Sequence, residues 1–508
     1  MEILILSPPV CTPAEPPSGA FVLAAALAGH GKDVALFDLS LEFYHRVLSD
    51  NSMSTVPINV ALDYLLNCDG AYDPMKHRTA AGSIHKKLKS FSSVFPGWHL
   101  TAMDISPPEH VHHLEHIERT LQTTRSPFEE LWIKSLMPVL EQHRPKKIIV
   151  SLAYLSQLPA AIDLAMFLKK RGIVPQIGGS LPRSLAGTGQ GLNALKKIFS
   201  AIDITNGASF AGLDNERDLL RKLSWPVLLS KKPYLSTRFV IPLALSVGCF
   251  WRRCLFCPDR EMKFEPVSIK AITHFMSSIP SSVIELNPLI HLLDSAIPPG
   301  LLRRFLPVAK EHGVQFYGFA RPTYRLLRDD LIEKSAQAGC VMLQLGVESG
   351  SGSLLNRFDK GIDPKESAQV MKRAALAGIR TYAYLLFGLP GETNANREAT
   401  LLLIKDNIQH VDFLNLSLFN LPKYCELSDR SDEFDIQAGS YPGTDLKEKE
   451  AIALYTPFTC AGVSPRKEAR EFLQKRFLKD PIVREAYLRT PKWFRAAHLA
   501  MMKIPNRS

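Results

Sequence analysis

Ser246-Val247-Gly248-Cys249-Phe250-Trp251-Arg252-Arg253-Cys254-Leu255-Phe256-Cys257-Pro258 gathers three cysteines into one short loop. An apolar run with the length of a strand, Ile241 to Val247, leads into it, and an amphipathic segment, Val267 to Met276, follows it. A strand-to-helix loop is where an α/β barrel keeps its chemistry. Three thiolates this close can converge on one inorganic centre, and intracellular cysteine clusters are more often metal or redox sites than disulfides. A structural zinc site wants four protein ligands, and no fourth cysteine or nearby histidine follows Cys257. Three cysteines suit a cubane iron–sulfur cluster that keeps one iron free for a small molecule. A zinc knuckle and unligated core thiols are the other readings of the same residues.

Downstream, apolar runs alternate with amphipathic ones. Strands are expected at Val283 to Leu286 leading into Ile290 to Asp294, then at Val314 to Arg321, Cys340 to Val347, Ile379 to Phe387 and Phe413 to Leu418. Helices are expected at Pro299 to His312, Asp330 to Ala338, Pro364 to Ala377 and Asn396 to Asn407. With the strand before Cys249 this makes six βα strands joined by right-handed crossovers. Such a set covers only part of an eight-stranded circle and leaves a lateral opening. Gly346-Val347-Glu348-Ser349-Gly350 ends the fourth strand, where glycines let backbone approach a ligand while Glu348 and Ser349 offer hydrogen bonds. Phe387-Gly388-Leu389-Pro390-Gly391-Glu392-Thr393 ends the fifth in a tight turn whose apolar wall and amides suit a purine. Asp294-Ser295 and Arg321 end the second and third; a ligand contact and an ion pair between Asp294 and Arg321 both stand open.

Upstream, residues 1 to about 210 carry continuous apolar strands separated by helices: Ile3 to Leu6, Val34 to Asp38, Lys147 to Leu152 and Pro175 to Gly178. That pattern argues for a parallel, doubly wound sheet. Ser7-Pro8-Pro9, Asp38, Ser151 and Gly178-Gly179-Ser180 fall just after strands, at the carboxyl edge where open sheets bind ligands. Residues 41–145 form a helical insertion within this domain, since a structureless loop of that length is uncommon. Its His110, His112, His113 and His116 lie among Glu109, Glu115 and Glu118 and suit a solvated helix better than a metal site. His30 reads as a turn residue. Residues 211–235, interrupted by Pro226 and Pro233, are the expected linker; 236–429 the barrel; 430–508 a helical tail.

The chain has 508 residues, 46% hydrophobic and 22% charged, enough for two or three domains. Its eight cysteines include Cys11, Cys68, Cys340, Cys425 and Cys460 scattered singly, Met1-Glu2-Ile3 starts a strand, and no apolar run nears the ~20 residues of a membrane span. A reducing cytoplasm is the expected location. Net charge is +11, densest after Arg466. A solvated helix face suits that excess better than a binding surface does, and no motif points to nucleic acid.

At the cysteine loop the chain resembles the radical S-adenosylmethionine (SAM) enzymes. Their commonest spacing puts three residues between the first two cysteines; here Phe250 to Arg253 make four, followed by Leu255 and Phe256 before Cys257. The Gly-Cys-aromatic-Trp opening and Cys-x-Phe-Cys ending are similar to a variant found with an amino-terminal cobalamin-type domain. Residues 1–210 resemble that domain at Ser7-Pro8-Pro9, at Glu15-Pro16-Pro17-Ser18-Gly19, and at Leu155-Ser156-Gln157-Leu158 with the later Gly178-Gly179-Ser180. The likeness covers residues 1 to about 425.

The resemblance implies an α/β chain: a doubly wound sheet of cobalamin-binding type, then a partial six-stranded (β/α) barrel. It implies a 4Fe-4S cluster on Cys249, Cys254 and Cys257 with SAM on the unique iron, Gly346–Gly350 near its methionine and ribose, and Gly388–Thr393 beside its adenine. Asp294 and Arg321 would join the SAM or substrate site. Cobalamin would lie on Ser7, Pro8, Pro9, Gly178, Gly179 and Ser180. The frequent Asp-x-His-x-x-Gly signature is absent, with no histidine in Val10 to Pro16, as in members that bind the corrin without a protein axial ligand. Reductive cleavage of SAM to a 5′-deoxyadenosyl radical and methylation of an unactivated carbon are the implied activity, with an external one-electron donor such as flavodoxin or ferredoxin. The substrate is a small molecule, lipid or peptide. A cobalamin-free rearrangement or ring-forming enzyme shares the barrel residues. A nonenzymatic corrin or nucleic-acid binder leaves the three cysteines unexplained.

Overall fold

Strands β1 (Ile3–Ser7) and β2 (Val34–Asp38) are buried along their whole length, so both faces of their sheet must be covered. In this computed structural model, which describes residues 1–50, 58–67, 72–108, 114–188, 192–205, 207–439 and 452–490, they join β3 (Lys147–Ser151), β4 (Gln176–Gly178) and β5 (Val227–Leu228). The strands run parallel in the order β4-β3-β1-β2-β5. Strand order reverses between β1 and β3, and an open sheet has its crevice at that point, here beside Ser7 and Ser151. Residues 227–228, expected in a linker, instead extend this sheet; a two-residue edge strand after Pro226 is too short to show a period.

The expected helical insertion is mostly helical, with Leu39–Ser49, Asn59–Asn67, Pro74–Lys89 and Leu114–Thr123 among its helices, but it also holds the antiparallel pair His99–Leu100 and Ile105–Ser106. Buried Phe43, Phe91, Trp98, Phe128 and Trp132 pack it onto one face of the sheet. His110, His112 and His113 lie outside the described residues. His116 sits in the helix Leu114–Thr123.

The second sheet holds β6 (Val240–Leu243), β7 (Leu289–Leu292), β8 (Gln315–Ala320), β9 (Cys340–Glu348), β10 (Arg380–Phe387) and β11 (Phe413–Leu418), parallel and in chain order, with β6 and β11 as edges. Outward residues such as Ile290, Leu343 and Ala383 meet the helices, while Leu289, Tyr317, Met342, Tyr382 and Phe413 form the barrel floor. Val283 to Leu286, expected as part of the second strand, is instead the short helix Ser281–Ile284, entered through extended Pro280; the strand starts only after Asn287-Pro288. Helix Ser18–Gly29 joins the two sheets, its Phe21 ring edge-on to Trp225 at 5.5 Å and to Phe275 at 6.3 Å.

The tail is not wholly helical. Ile436–Ala438 pairs with Phe458–Cys460, and Leu421–Pro422 with Tyr455–Thr456, because the Tyr-Thr-Pro-Phe-Thr-Cys run favours extended backbone. Helices Pro465–Lys475 and Pro481–Arg489 then cover β10 and β11: Phe387 packs on Phe477 at 5.4 Å, and Thr490 accepts the Leu414 amide of the edge strand. Among the described residues no helix is long and apolar enough to cross a membrane.

Candidate active site

The expected strand Ile241 to Val247 breaks after Leu243, and a buried carboxylate holds the break. Asp294, at the end of β7, accepts from the Leu245 amide at 3.0 Å and from the Ser246 hydroxyl at 2.5 Å. Burial pushes its acid up to about 6, against those hydrogen bonds. Asp294 therefore anchors the base of the cysteine loop, and it makes no ion pair with Arg321 among the described contacts. Ser246–Val247 pairs back onto Glu265–Pro266, and Gly248, at φ +70°, fits because a Cβ there would lie 2.6 Å from the Lys263 carbonyl oxygen.

Cys254 is buried and Cys249 and Cys257 are half-buried, all three as free thiols. Arg321 reaches this loop from the end of β8. Its guanidinium lies 4.4 Å from the Trp251 ring centre, has Nη1 3.8 Å from Cys254 Sγ and donates to the Lys360 carbonyl. The Trp251 indole donates to the Asp359 carbonyl at 2.8 Å and lies on Gly361, where a Cβ would come within 2.0 Å of the ring. Leu255 donates to the Phe358 carbonyl at 3.1 Å. The loop is thus clasped by residues 358–361, which follow β9.

Lys360 bonds Glu348 at 2.7 Å, both largely out of solvent. Burial favours the neutral amine, but its partner Glu348, with Cys254 adding to it, outweighs burial and raises its pKa. Glu348 itself adopts φ +61° at a break in the β9–β10 register, strain of the kind found at ligand sites. The Ser349 hydroxyl bonds Thr400 at 3.1 Å and accepts the Ser351 amide, so it fixes the following turn.

The donor set fits an anionic cluster. Three free thiols share one loop, and the Arg321 and Lys360 cations stand beside Cys254. Burial pushes the Cys257 thiol up to about 12, a proton that coordination displaces. Among the described residues no three His, Cys, Asp or Glu side chains converge tightly enough for a single metal ion, and a cubane spreads its ligands over separate irons.

The Gly388–Thr393 turn is tied to the tail. Gly388 takes φ +83° and donates to Glu392 at 2.6 Å, while Arg397 bridges the Glu392 carbonyl and Glu468 of helix Pro465–Lys475. The other Glu392 oxygen is buried without a hydrogen-bond partner. Burial pushes this acid up to about 7 from an ordinary 4.5, against the Gly388 amide and Arg397. Because the folded value is the higher one, the associated stability is complete below about pH 4.5 and lost as pH rises through 7. Glu392→Gln should remove a decline on the order of 3 kcal/mol over that window, measured by urea melts of the apoprotein from pH 4 to 8.

At the first sheet, Ser7 and the Pro8 carbonyl accept from the Gln157 side chain at 3.4 and 2.8 Å, and Ser180 donates to the Ala153 carbonyl at 3.1 Å. Gly179, at φ +115°, sits where a Cβ would lie 2.5 Å from the Leu152 oxygen. Asp38 is turned away from any ligand: it caps helix Leu39–Ser49 and accepts from Tyr234 at 3.1 Å, with burial pushing it up to about 7. A cavity of about 340 Å³ lies between the two carboxyl edges, lined by Gly19, Ser151, Tyr154, Gly179 and Ser180 on one side and by Ser246, Gly248 and Ser295 on the other. It shares Arg183, Glu216, Val247 and Met262 with an outer cavity of about 580 Å³. The open Gly19 Cβ position leaves room for a bulky ligand and no histidine lines either cavity; of the residues expected to hold a corrin, Gly179 and Ser180 line this space, whereas Ser7, Pro8, Pro9 and Gly178 are buried and do not.

Lys360 and the Trp251–Gly361 contact escaped the sequence reading. Nothing local marks them; only the unusual Lys-Gly turn after Asp359 hints at a close approach.

Residues 303–404 match the model of the radical SAM superfamily, so the chain carries a radical SAM domain. An uncharacterized methyltransferase of Pyrococcus horikoshii is 27% identical over 96 residues, which is 19% of this chain and 21% of that protein. The match therefore spans about a fifth of that curated relative. The radical SAM methyltransferase TsrM from Kitasatospora setae, solved with cobalamin and a 4Fe-4S cluster bound, has a similar fold: TM-score 0.51 at 15% identity, covering 93% of this chain and 85% of that one. The cobalamin-dependent SAM radical enzyme OxsB, with aqua-cobalamin and SAM bound, gives 0.48 at 14% identity over 79% of this chain and 51% of its own.

Proposed function

We propose that this radical SAM enzyme cleaves SAM reductively and methylates an unactivated carbon with cobalamin as methyl carrier. The observation that carries the reading is the free-thiol loop at the mouth of a six-stranded parallel partial barrel, opening on a cavity shared with the carboxyl edge of a second parallel sheet. When bound, the cluster supplies the electron that breaks the sulfonium C–S bond, and the corrin supplies the methyl group. Cys249, Cys254 and Cys257 hold the cluster; Arg321 and Lys360 balance the thiolate charge; Asp294 sets the angle of the loop. Glu348 meets the polar end of SAM, and the Gly388–Glu392 turn, latched to the tail helix, walls its base. Gly179 and Ser180, with Ser151 and Tyr154 beside them, provide the corrin edge. The faces of the two domains exclude water from the space between them. An external one-electron donor of the flavodoxin or ferredoxin kind completes the turnover.

Anaerobic reconstitution with iron, sulfide and cobalamin, followed by SAM and a low-potential one-electron reductant, tests the reading. It should give 5′-deoxyadenosine and a product heavier by one methyl group. Val10 to Pro16 contain no histidine, and none lines the cavity, so electron paramagnetic resonance of bound Co(II) cobinamide, a corrin without a nucleotide base of its own, should show cobalt lines free of axial-nitrogen splitting. Deoxyadenosine without corrin retention would withdraw methyl transfer in favour of a cobalamin-free rearrangement or ring closure.

A further inference from the structure

Glu15 belongs to the first domain, yet its carboxylate lies inside the barrel. His291 on β7 places Nδ1 3.1 Å from Glu15 Oε2, and the Tyr317 hydroxyl on β8 donates to the same oxygen at 3.4 Å. The His291 and Tyr317 rings stack 4.4 Å apart at 9°, and all three residues are buried. A carboxylate only accepts, so Nδ1 carries the proton, and in the neutral ring Nε2 is an acceptor. Among the described residues, Nε2 has no hydrogen-bond partner.

A second open acceptor stands nearby. Gln344 on β9 is 1% exposed; its amide nitrogen donates to the Tyr384 hydroxyl at 3.2 Å, and its oxygen Oε1 is buried without a partner. Tyr384 lies within electrostatic reach of Tyr317, and its ring is 4.5 Å from that of Phe319. Above the barrel floor the inward positions Phe319, Tyr384, Leu386, Asn415 and Ser417 are only half-buried, while the outward Ala383, Leu385 and Phe387 beside them are fully buried. On β11 the outward Leu416 and Leu418 are half-buried as well, so the contrast belongs to β10, whose inward Tyr384 and Leu386 meet the barrel interior. The two cations above it, Arg321 and Lys360, are already engaged.

We infer that this chamber is the substrate site, and that His291 Nε2 and Gln344 Oε1 accept hydrogen bonds from N–H or O–H groups of a compact, uncharged, planar molecule. Glu15 is the positioning residue that fixes the imidazole tautomer from the neighbouring domain. The inference rests on the radical SAM reading and narrows its substrate.

Calorimetry on the reconstituted protein compares phenol with anisole and benzamide with N,N-dimethylbenzamide, pairs that differ in the donor. Wild type should prefer the donor-bearing member by about tenfold, the scale of one neutral hydrogen bond. His291→Phe and Gln344→Leu should each shrink that ratio towards one, Glu15→Ala should do the same through the freed ring, and His291→Gln should retain part of it. Should His291→Phe fail to fold, Gln344→Leu carries the test. A wild-type ratio near one, no binding of either donor probe, or a full ratio in both His291→Phe and Gln344→Leu overturns the assignment. Deoxyadenosine formation is recorded on the same wild-type samples: its absence counts against the radical SAM reading, while its presence without donor preference sinks the chamber assignment alone.

Discussion

Alanine at Cys249, Cys254 or Cys257 should abolish both the visible absorbance of the reconstituted cluster and the formation of 5′-deoxyadenosine. Each substitution leaves two thiolates for a cluster that needs three, and the chain places no further cysteine in the loop. Cys254→Ala also strips Arg321 Nη1 of its sulfur neighbour at 3.8 Å, although the clasp through Trp251 and the Lys360 carbonyl remains to hold the loop. Cys340→Ala supplies the control. That thiol is buried on the outer face of β9 within the helix-packed core, so its loss should cost about 1 kcal/mol of packing and leave iron content unchanged. Full iron and full cleavage in all three loop variants would remove the cluster assignment.

Glu348→Ala should act twice. Loss of a charge-assisted bond should weaken SAM by roughly 1–3 kcal/mol, about fivefold to 150-fold in dissociation constant. Removal of its carboxylate also strands the Lys360 ammonium beside Arg321, and breaking a buried pair costs about 3–5 kcal/mol of stability. The two effects separate in the double variant Glu348→Ala/Lys360→Met, which removes both charges. Its melting temperature should recover while SAM affinity stays low. Recovery of both would make Glu348 purely the partner of Lys360. The strained backbone at Glu348 gives an independent check: Glu348→Gly relieves φ +61° and should melt higher than Glu348→Ala.

Local pattern alone specified the cysteine loop, the apolar runs of ten of the eleven sheet strands and the amphipathic helices between them. Each is a property of neighbouring residues, because side-chain period and turn chemistry repeat over a few positions. β5 carries only two residues, and its strand character comes from pairing with β2. Ser281–Ile284 resembles a strand in composition, and only the extended Pro280 and the later start of β7 make it helical. Asp294 shows the same division within the site. Its place at a strand end was legible; its partners, Leu245 and Ser246, sit on the adjacent strand end and became visible only once β6 and β7 paired. Lys360 stands twelve residues past Glu348 and more than a hundred past Cys254, and no local spacing relates them. Glu15 and His291 are separated by 276 residues and by a domain boundary. Contacts of that kind depend on how two sheets dock, and docking follows from the whole buried surface around helix Ser18–Gly29 rather than from any one stretch of chain.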